Sequence, residues 1–162
     1  MVRRAIIGGT YNSAPMKIYL ACTVRGDRGA VTALRGIADW LEDEGHTVLT
    51  RHLLADDVDV SESALTERNV FERDMEWLRD ADLLIAEASG SSYGVGFEVG
   101  YVLARAERSE QRVLLLFDAA RRDRVSRLIA GNAHPCCTTR AYGSPAELRR
   151  AVQDFLAPVA GR

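Results

Sequence analysis

The stretch Ser91-Ser92-Tyr93-Gly94-Val95-Gly96-Phe97-Glu98-Val99-Gly100 gathers small residues, hydroxyls and one carboxylate into a short span. It follows a strand-like run, Ala81-Asp82-Leu83-Leu84-Ile85-Ala86, and opens an amphipathic segment from Phe97 to Ala106. Ser91, Ser92, Gly94 and Gly96 allow a tight turn and a close approach of backbone to a ligand. A helix starting there points its unpaired N–H groups back at the loop, an arrangement suited to an anion such as phosphate. The spacing predicts Glu98 in the first helical turn, where the macrodipole favours an ionised carboxylate. An ionised acid beside an anion-binding loop repels the anion. Glu98 therefore makes sense if it does chemistry on a sugar while the loop holds the phosphate. Satisfying the helix N-terminus is the alternative for this residue taken alone.

A second carboxylate sits where an apolar residue belongs. At about 100° per residue, Val70, Phe71, Met75, Trp77, Leu78 and Ala81 form one broad apolar face of a helix, with Asp74 in its middle. Arg73, Glu76, Arg79 and Asp80 are predicted on the solvent side. A carboxylate is seldom buried without a partner. A salt bridge or a loop N–H would satisfy one such acid. Two acids in different environments converging on one crevice point instead to divided roles in glycosyl chemistry. Retaining glycosyl enzymes hold such a pair about 5–5.5 Å apart, one of them as nucleophile.

The elements that must position these residues alternate. Lys17 to Cys22 reads as a buried strand, Ala30 to Glu44 as a helix stopped by Gly45, and Thr47-Val48-Leu49 as a short strand. An acidic loop, Leu53 to Ser63, leads to a helix from Leu65 to Asp80. After the third strand and the glycine-rich segment come a strand at Arg112 to Phe117, a short helix at Arg124 to Ala130 and a weaker strand near Cys137 to Arg140. Ser144-Pro145-Ala146-Glu147 has the pattern of a capping box with proline at the first helical position. Strand–helix alternation with apolar strands predicts a parallel sheet covered on both faces, its ligand at the carboxyl ends of the strands near the switch point. That rule gathers Thr23-Val24-Arg25-Gly26, His52 and Ser91 to Glu98 around one crevice.

The 162 residues suit one domain, taken as 16–162, with 1–15 as an N-terminal extension and Met16 as an alternative start. A net charge of −2, with basic residues scattered among acids, argues against nucleic acid as a partner. No apolar run approaches spanning length and no signal-peptide pattern heads the chain. Cys22, Cys136 and Cys137 have neither metal-ligand spacing nor an even disulfide framework, and a cytoplasmic location is expected. No role follows for the vicinal pair Cys136-Cys137.

Three segments in order carry a resemblance: Tyr19-Leu20-Ala21-Cys22-Thr23-Val24-Arg25-Gly26, Glu72-Arg73-Asp74-Met75-Glu76-Trp77-Leu78, and Ser92-Tyr93-Gly94-Val95-Gly96-Phe97-Glu98-Val99-Gly100. From about Met16 to Leu156 the chain resembles the 2'-deoxynucleoside 5'-phosphate N-hydrolases of the nucleoside 2-deoxyribosyltransferase superfamily. The resemblance implies a flavodoxin-like α/β fold, a five-stranded parallel sheet with helices on both faces, in a homodimer. It implies that Glu98 attacks the anomeric carbon, that Asp74 positions substrate and assists proton delivery to the base, and that Tyr19 belongs to the catalytic group. Ser92 and Gly94/Gly96 match the phosphate loop, Ser126 a serine reaching over from the partner subunit, and Arg25 and His52 basic residues near the substrate. Cys22 and Thr23 depart from the glycine and serine common in relatives. Read without the resemblance, Tyr19 is better taken as a core aromatic, His52 is equally a solvated histidine, Arg25 reads as a loop ion-pair partner and Ser126 as a plain helix residue.

The function expected is hydrolysis of the N-glycosidic bond of a (deoxy)nucleoside 5'-monophosphate through a covalent glutamyl-sugar intermediate, with no metal or other cofactor. The alternatives are a deoxyribosyltransferase, a CMP-type ribonucleotide hydrolase and a non-catalytic nucleotide sensor. Phosphate-suited groups at Ser92, Ser126 and Arg25 favour the hydrolase over the transferase.

Overall fold

The computed structural model describes residues 14–157. Most of the expected 1–15 extension therefore lies outside the described residues. Five strands form one wholly parallel sheet: β1 (Lys17–Ala21), β2 (Thr47–Val48), β3 (Leu83–Glu87), β4 (Arg112–Asp118) and β5 (Cys137–Tyr142), in the spatial order β2-β1-β3-β4-β5. The helices are α1 (Val31–Asp43), α2 (Val58–Glu62), α3 (Glu67–Asp80), α4 (Tyr93–Ser109), α5 (Arg127–Ala130) and α6 (Pro145–Leu156). Two 3-10 turns, Arg51–Leu54 and Ala119–Arg124, complete the order. The α/β fold with a five-stranded parallel sheet is the one expected from the sequence.

Alternation along each strand divides the core. Ile18 and Leu20 of β1 join Leu34, Leu41, Leu148 and Val152 on the α1/α6 side. Tyr19 and Ala21 join Met75, Leu78, Val99 and Val102 on the α3/α4 side. Residues with opposite parity thus feed opposite layers, as the period of two requires. Because β1 connects through α1 on one layer and β3 through α4 on the other, the order reverses between β1 and β3. Their carboxyl ends open the crevice there.

Local signals explain the boundaries. Val31, Leu34, Ile37, Ala38 and Leu41 repeat at helical spacing and are buried in α1, and Gly45, at φ +89°, adopts the left-handed conformation past its end. Thr66 caps α3 reciprocally with Asn69: its Oγ1 accepts from the Asn69 N–H at 3.1 Å, and its own N–H donates to Asn69 Oδ1. At α6 the Ser144 hydroxyl accepts from the Glu147 N–H, but the Glu147 carboxylate accepts from the Gly143 N–H instead of from Ser144. The expected box is thus half-formed and half displaced by one residue.

Several expectations change. The acidic segment after β2 is not a plain loop: it contains the first 3-10 turn and α2, anchored by the buried Leu53, Leu54 and Val58. α4 begins at Tyr93, four residues before the expected start, because Ser92 accepts from the Val95 N–H and caps it there. Ser126 precedes α5 at its N-cap position, since a 3-10 turn replaces the early part of the expected helix. Among the described residues no helix is long and apolar enough to cross a membrane.

Candidate active site

The sharp turn out of β3 is built by Gly90 and Ser91. Ser91 has φ +52°, unusual for a residue with a side chain, and its hydroxyl donates to the Arg124 carbonyl at 2.7 Å. A Cβ on Gly90 would stand 2.1 Å from Thr23 Oγ1 and 2.8 Å from the Asp27 carbonyl oxygen. Only glycine lets the β3 turn pack this closely on the loop after β1. That contact keeps Thr23 buried beneath the turn, with Oγ1 lacking a hydrogen-bond partner.

The first turn of α4 then carries Tyr93, Gly94, Val95 and Gly96. Gly94 and Gly96 are therefore helical residues and not loop residues, and neither has a positive φ. Within the chain a Cβ at Gly94 would meet only the Ser92 hydroxyl at 3.5 Å, and one at Gly96 would meet nothing within 4 Å. Their effect is to leave two positions of the N-terminal turn without side chains, between Tyr93, Val95 and Phe97, so an approaching anion can reach backbone N–H groups.

Glu98 consequently lies in the second turn, facing the cavity, and the first-turn dipole argument does not apply to it. Tyr19, fully buried in β1, donates its hydroxyl to Glu98 Oε1 at 2.6 Å. Burial pushes the Glu98 carboxyl up to about 7, the Asp74 charge adds to the rise, and the Tyr19 hydrogen bond opposes it. The same burial and the two carboxylates push the Tyr19 phenol well up, so it remains a donor at any ordinary pH.

Asp74 projects from α3 into the same cavity. Arg73 does not lie on the solvent side, as the helical wheel predicts. Its guanidinium folds back, donating to Asp74 Oδ1 from Nε at 2.9 Å and forming two hydrogen bonds with Glu62, at 2.7 and 3.2 Å. Arg73 lies 4.9 Å over the Trp77 ring, and His52 meets the same ring edge-on at 5.3 Å. His52 Nε2 is 3.2 Å from Glu62 Oε1 but outside hydrogen-bond geometry. Burial, then the Arg73 charge, push the His52 imidazole below its ordinary value. Burial also raises the Asp74 carboxyl, against the lowering effect of Arg73.

These walls enclose a cavity of about 820 Å³. Of the residues expected at the site, Val24, Arg25, Asp74, Ser92, Gly94 and Glu98 line it directly, and Tyr19 reaches it through Glu98. Thr23, Gly26, His52, Gly96 and Ser126 are not among the lining residues. His52 stands behind Glu62, while Ser126 is exposed at the α5 N-cap. Cys22 lines the cavity with its thiol pushed up to about 11 by burial, which keeps it protonated and unreactive.

Sequence reasoning missed Glu62, Arg73, Gly90 and Glu87. Glu87, buried at the end of β3, accepts from the Tyr142 hydroxyl at 2.9 Å and from the Ser89 hydroxyl, and Ser89 in turn accepts from the Asp118 N–H. This network ties β3, β4 and β5 together behind the crevice. A carboxylate closing an otherwise apolar strand, Leu83-Leu84-Ile85-Ala86-Glu87, was its visible signal. Among the described residues no group of three or more His, Cys, Asp or Glu side chains is placed to hold a metal ion.

The nucleoside 2-deoxyribosyltransferase family model matches residues 18–130. A Thermofilum pendens protein, provisionally named 2'-deoxynucleoside 5'-phosphate N-hydrolase 1, is 44% identical over 116 residues, covering 72% of this chain and 78% of its own. The human 5-hydroxymethyl-dUMP N-hydrolase is 36% identical over 118 residues, 72% of this chain and 65% of its own. A solved CMP N-glycosidase of Clostridium botulinum superposes with a TM-score of 0.62 at 17% identity, covering 86% of this chain and 98% of that one, and shares the fold. A match over most of the sheet and both carboxylate-bearing helices places the chain in the nucleoside 2-deoxyribosyltransferase family.

Proposed function

We propose that this nucleotide N-glycosyl hydrolase takes 2'-deoxynucleoside 5'-monophosphates and works through a covalent intermediate on Glu98. The observation that carries the reading is the Tyr19–Glu98 hydrogen bond of 2.6 Å at the wall of a cavity that Asp74 also lines. Tyr19 fixes one oxygen of Glu98 and leaves the other to attack C1'. Attack forms the C1'–Oε bond as the N-glycosidic bond breaks, and the base leaves with the bonding pair and takes up a proton. Water then adds at C1', releasing the sugar phosphate and restoring the carboxylate. Division into two displacements lowers the barrier to each. The charge on Glu98 also disperses the positive charge of an oxocarbenium-like transition state. A 2'-deoxy sugar ionises more readily at C1', because it lacks the electron-withdrawing hydroxyl.

Phosphate recognition falls to Ser92, the glycine-bearing N-terminal turn of α4 and Arg25, all at the cavity. Ser126 completes it from a partner subunit in a homodimer. Support for the dimer comes from exposed aromatics beside the cavity. Phe71 of α3 and Phe97 and Tyr101 of α4 form a ladder with centroids 6.5 Å apart, and Phe71 and Phe97 are both more than half exposed. Leu128, two residues after Ser126, is 84% exposed.

The test is incubation with each common deoxynucleoside monophosphate, its parent deoxynucleoside and the matching ribonucleotide, with free base measured. Release from the monophosphate, none from Glu98→Ala, and a mass increment of one sugar phosphate on acid-quenched enzyme are expected. Equal rates on the unphosphorylated nucleoside would favour the transferase reading, and tight binding without release would favour a sensor.

A further inference from the structure

Glu62 ends α2 and Arg73 sits in the middle of α3; no part of the reaction described above uses either one. Adjacent residues on a helix point about 100° apart, so Arg73 and Asp74 do not meet by default. Here the Arg73 guanidinium is drawn to its neighbour and held by both oxygens of Glu62, with side-chain exposures of only 21%, 13% and 22% for Arg73, Glu62 and Asp74. The planar fork of arginine suits this double engagement, and Trp77 supports its face. Both Arg73 contacts with Asp74 fall on Oδ1, a hydrogen bond from Nε at 2.9 Å and an ion-pair contact from Nη2 at 2.8 Å, which leaves Oδ2 free of the guanidinium on a residue that lines the cavity.

We propose that Glu62 and Arg73 are a positioning pair for Asp74: Glu62 draws the guanidinium across the helix surface, and the guanidinium holds Asp74 as an oriented carboxylate whose Oδ2 accepts a hydrogen bond from a substrate hydroxyl. The role given to the substrate rests on the nucleotide-hydrolase reading; the holding of Asp74 does not. A carboxylate held by a guanidinium through one oxygen keeps the other as an acceptor in a fixed direction, which is a positioning role. The groups facing Asp74 are Arg73 on its own helix, Glu62 on α2, His52 on the first 3-10 turn, Tyr19 on β1 and Glu98 on α4. Arg73 and a protonated His52 favour the charged form, while burial, Glu62 and Glu98 disfavour it.

The sign of one substitution separates positioning from simple proximity. Glu62 is itself an anion that raises the Asp74 carboxyl. If Arg73 stayed in place without it, Glu62→Ala would lower the Asp74 midpoint. If Glu62 is what keeps Arg73 there, the guanidinium leaves and the midpoint rises. The experiment is a carboxyl titration of the 13C-Asp-labelled full chain by NMR, with Asp74 assigned by its loss in Asp74→Asn. We expect a rise of about one pH unit in Glu62→Ala and in Arg73→Met, and only partial restoration in Arg73→Lys, which keeps the charge but not the fork. A fall or no change in Glu62→Ala overturns the pair, and that variant decides the matter even if Arg73→Met does not fold. Base release by the unsubstituted protein is measured alongside. A shifted midpoint with no release refutes the hydrolase reading alone, and release with an unshifted midpoint refutes the pair alone.

Discussion

Glu98 is held in a state that favours its proton. Its carboxyl titrates at about 7 in the folded protein, above the ordinary value near 4.5, so ionisation works against folding. For an acid raised in this way stability is greatest below the unfolded value and is lost as pH rises through the folded one. Glu98→Gln keeps an acceptor for Tyr19 and removes the charge. It is expected to raise Tm at pH 8, by the equivalent of about 3 kcal/mol at most, and to leave it unchanged near pH 4. Thermal melts at the two pH values check this, and equal gains at both would point to packing. The same carboxyl sets the rate: activity should rise with pH through a midpoint near 7, as the nucleophile becomes charged. Tyr19→Phe deletes the donor that favours the charged form, so the acid limb of kcat/KM should move to higher pH. It should also narrow the gap between a ribonucleotide and its deoxy counterpart, chiefly by slowing the deoxy reaction. Profiles of both proteins on one base decide it, and an unmoved limb with an unchanged ratio leaves Tyr19 a core aromatic.

Among the elements, the turn between β3 and α4 and the loop after β1 form one unit. Gly90 presses on Thr23, and Arg28 donates to the carbonyls of Leu53 and Ala55 at 3.1 and 3.0 Å, while reaching those of Thr23 and Val24 at 3.4 Å. The loop bearing Arg25 is thus fastened to the turn bearing His52. Gly90→Ala forces this unit apart, with an expected cost of about 1–3 kcal/mol and a KM raised more than kcat is lowered. Urea unfolding and steady-state rates measure the two effects, and unchanged values of both would show that the loop yields freely. The sheet was legible because apolar strands alternate with amphipathic helices. Glu98, Asp74 and Ser92 were legible because their types break or punctuate those patterns. Glu62 was not, since α2 buries only Val58 and an acidic segment with so little apolar periodicity reads as a loop. Arg73 was misplaced because a helical wheel gives the direction of Cα–Cβ, whereas a long side chain ends wherever its charge is best paired. Gly94 and Gly96 were read as loop on residue type, although a serine cap starts a helix ahead of them.

At the scale of the whole molecule, the aromatic ladder of α3 and α4 predicts a surface that a second copy covers. If a second copy covers this surface and lends Ser126 as proposed, Phe97→Glu, which places a charge among Phe71 and Tyr101, should yield a folded monomer with strongly reduced activity on phosphorylated substrate. Sedimentation velocity together with base release tests this, and a fully active monomer would remove Ser126 from the site. The two tryptophans of the chain are divided between the two layers of the fold. Trp40 is buried in the α1/α6 core with Arg149 stacked upon it, and Trp77 stands under Arg73 with His52 at its edge. One indole therefore lies remote from the cavity, and the other touches two of the groups behind its acidic wall. An imidazolium quenches indole emission more strongly than an imidazole does. With Trp40 replaced by phenylalanine, the protein carries its own optical reporter: the brightness of Trp77 is expected to follow the charge on His52, and a ligand entering the cavity that Glu62 and Asp74 line is expected to be timed by light without a label.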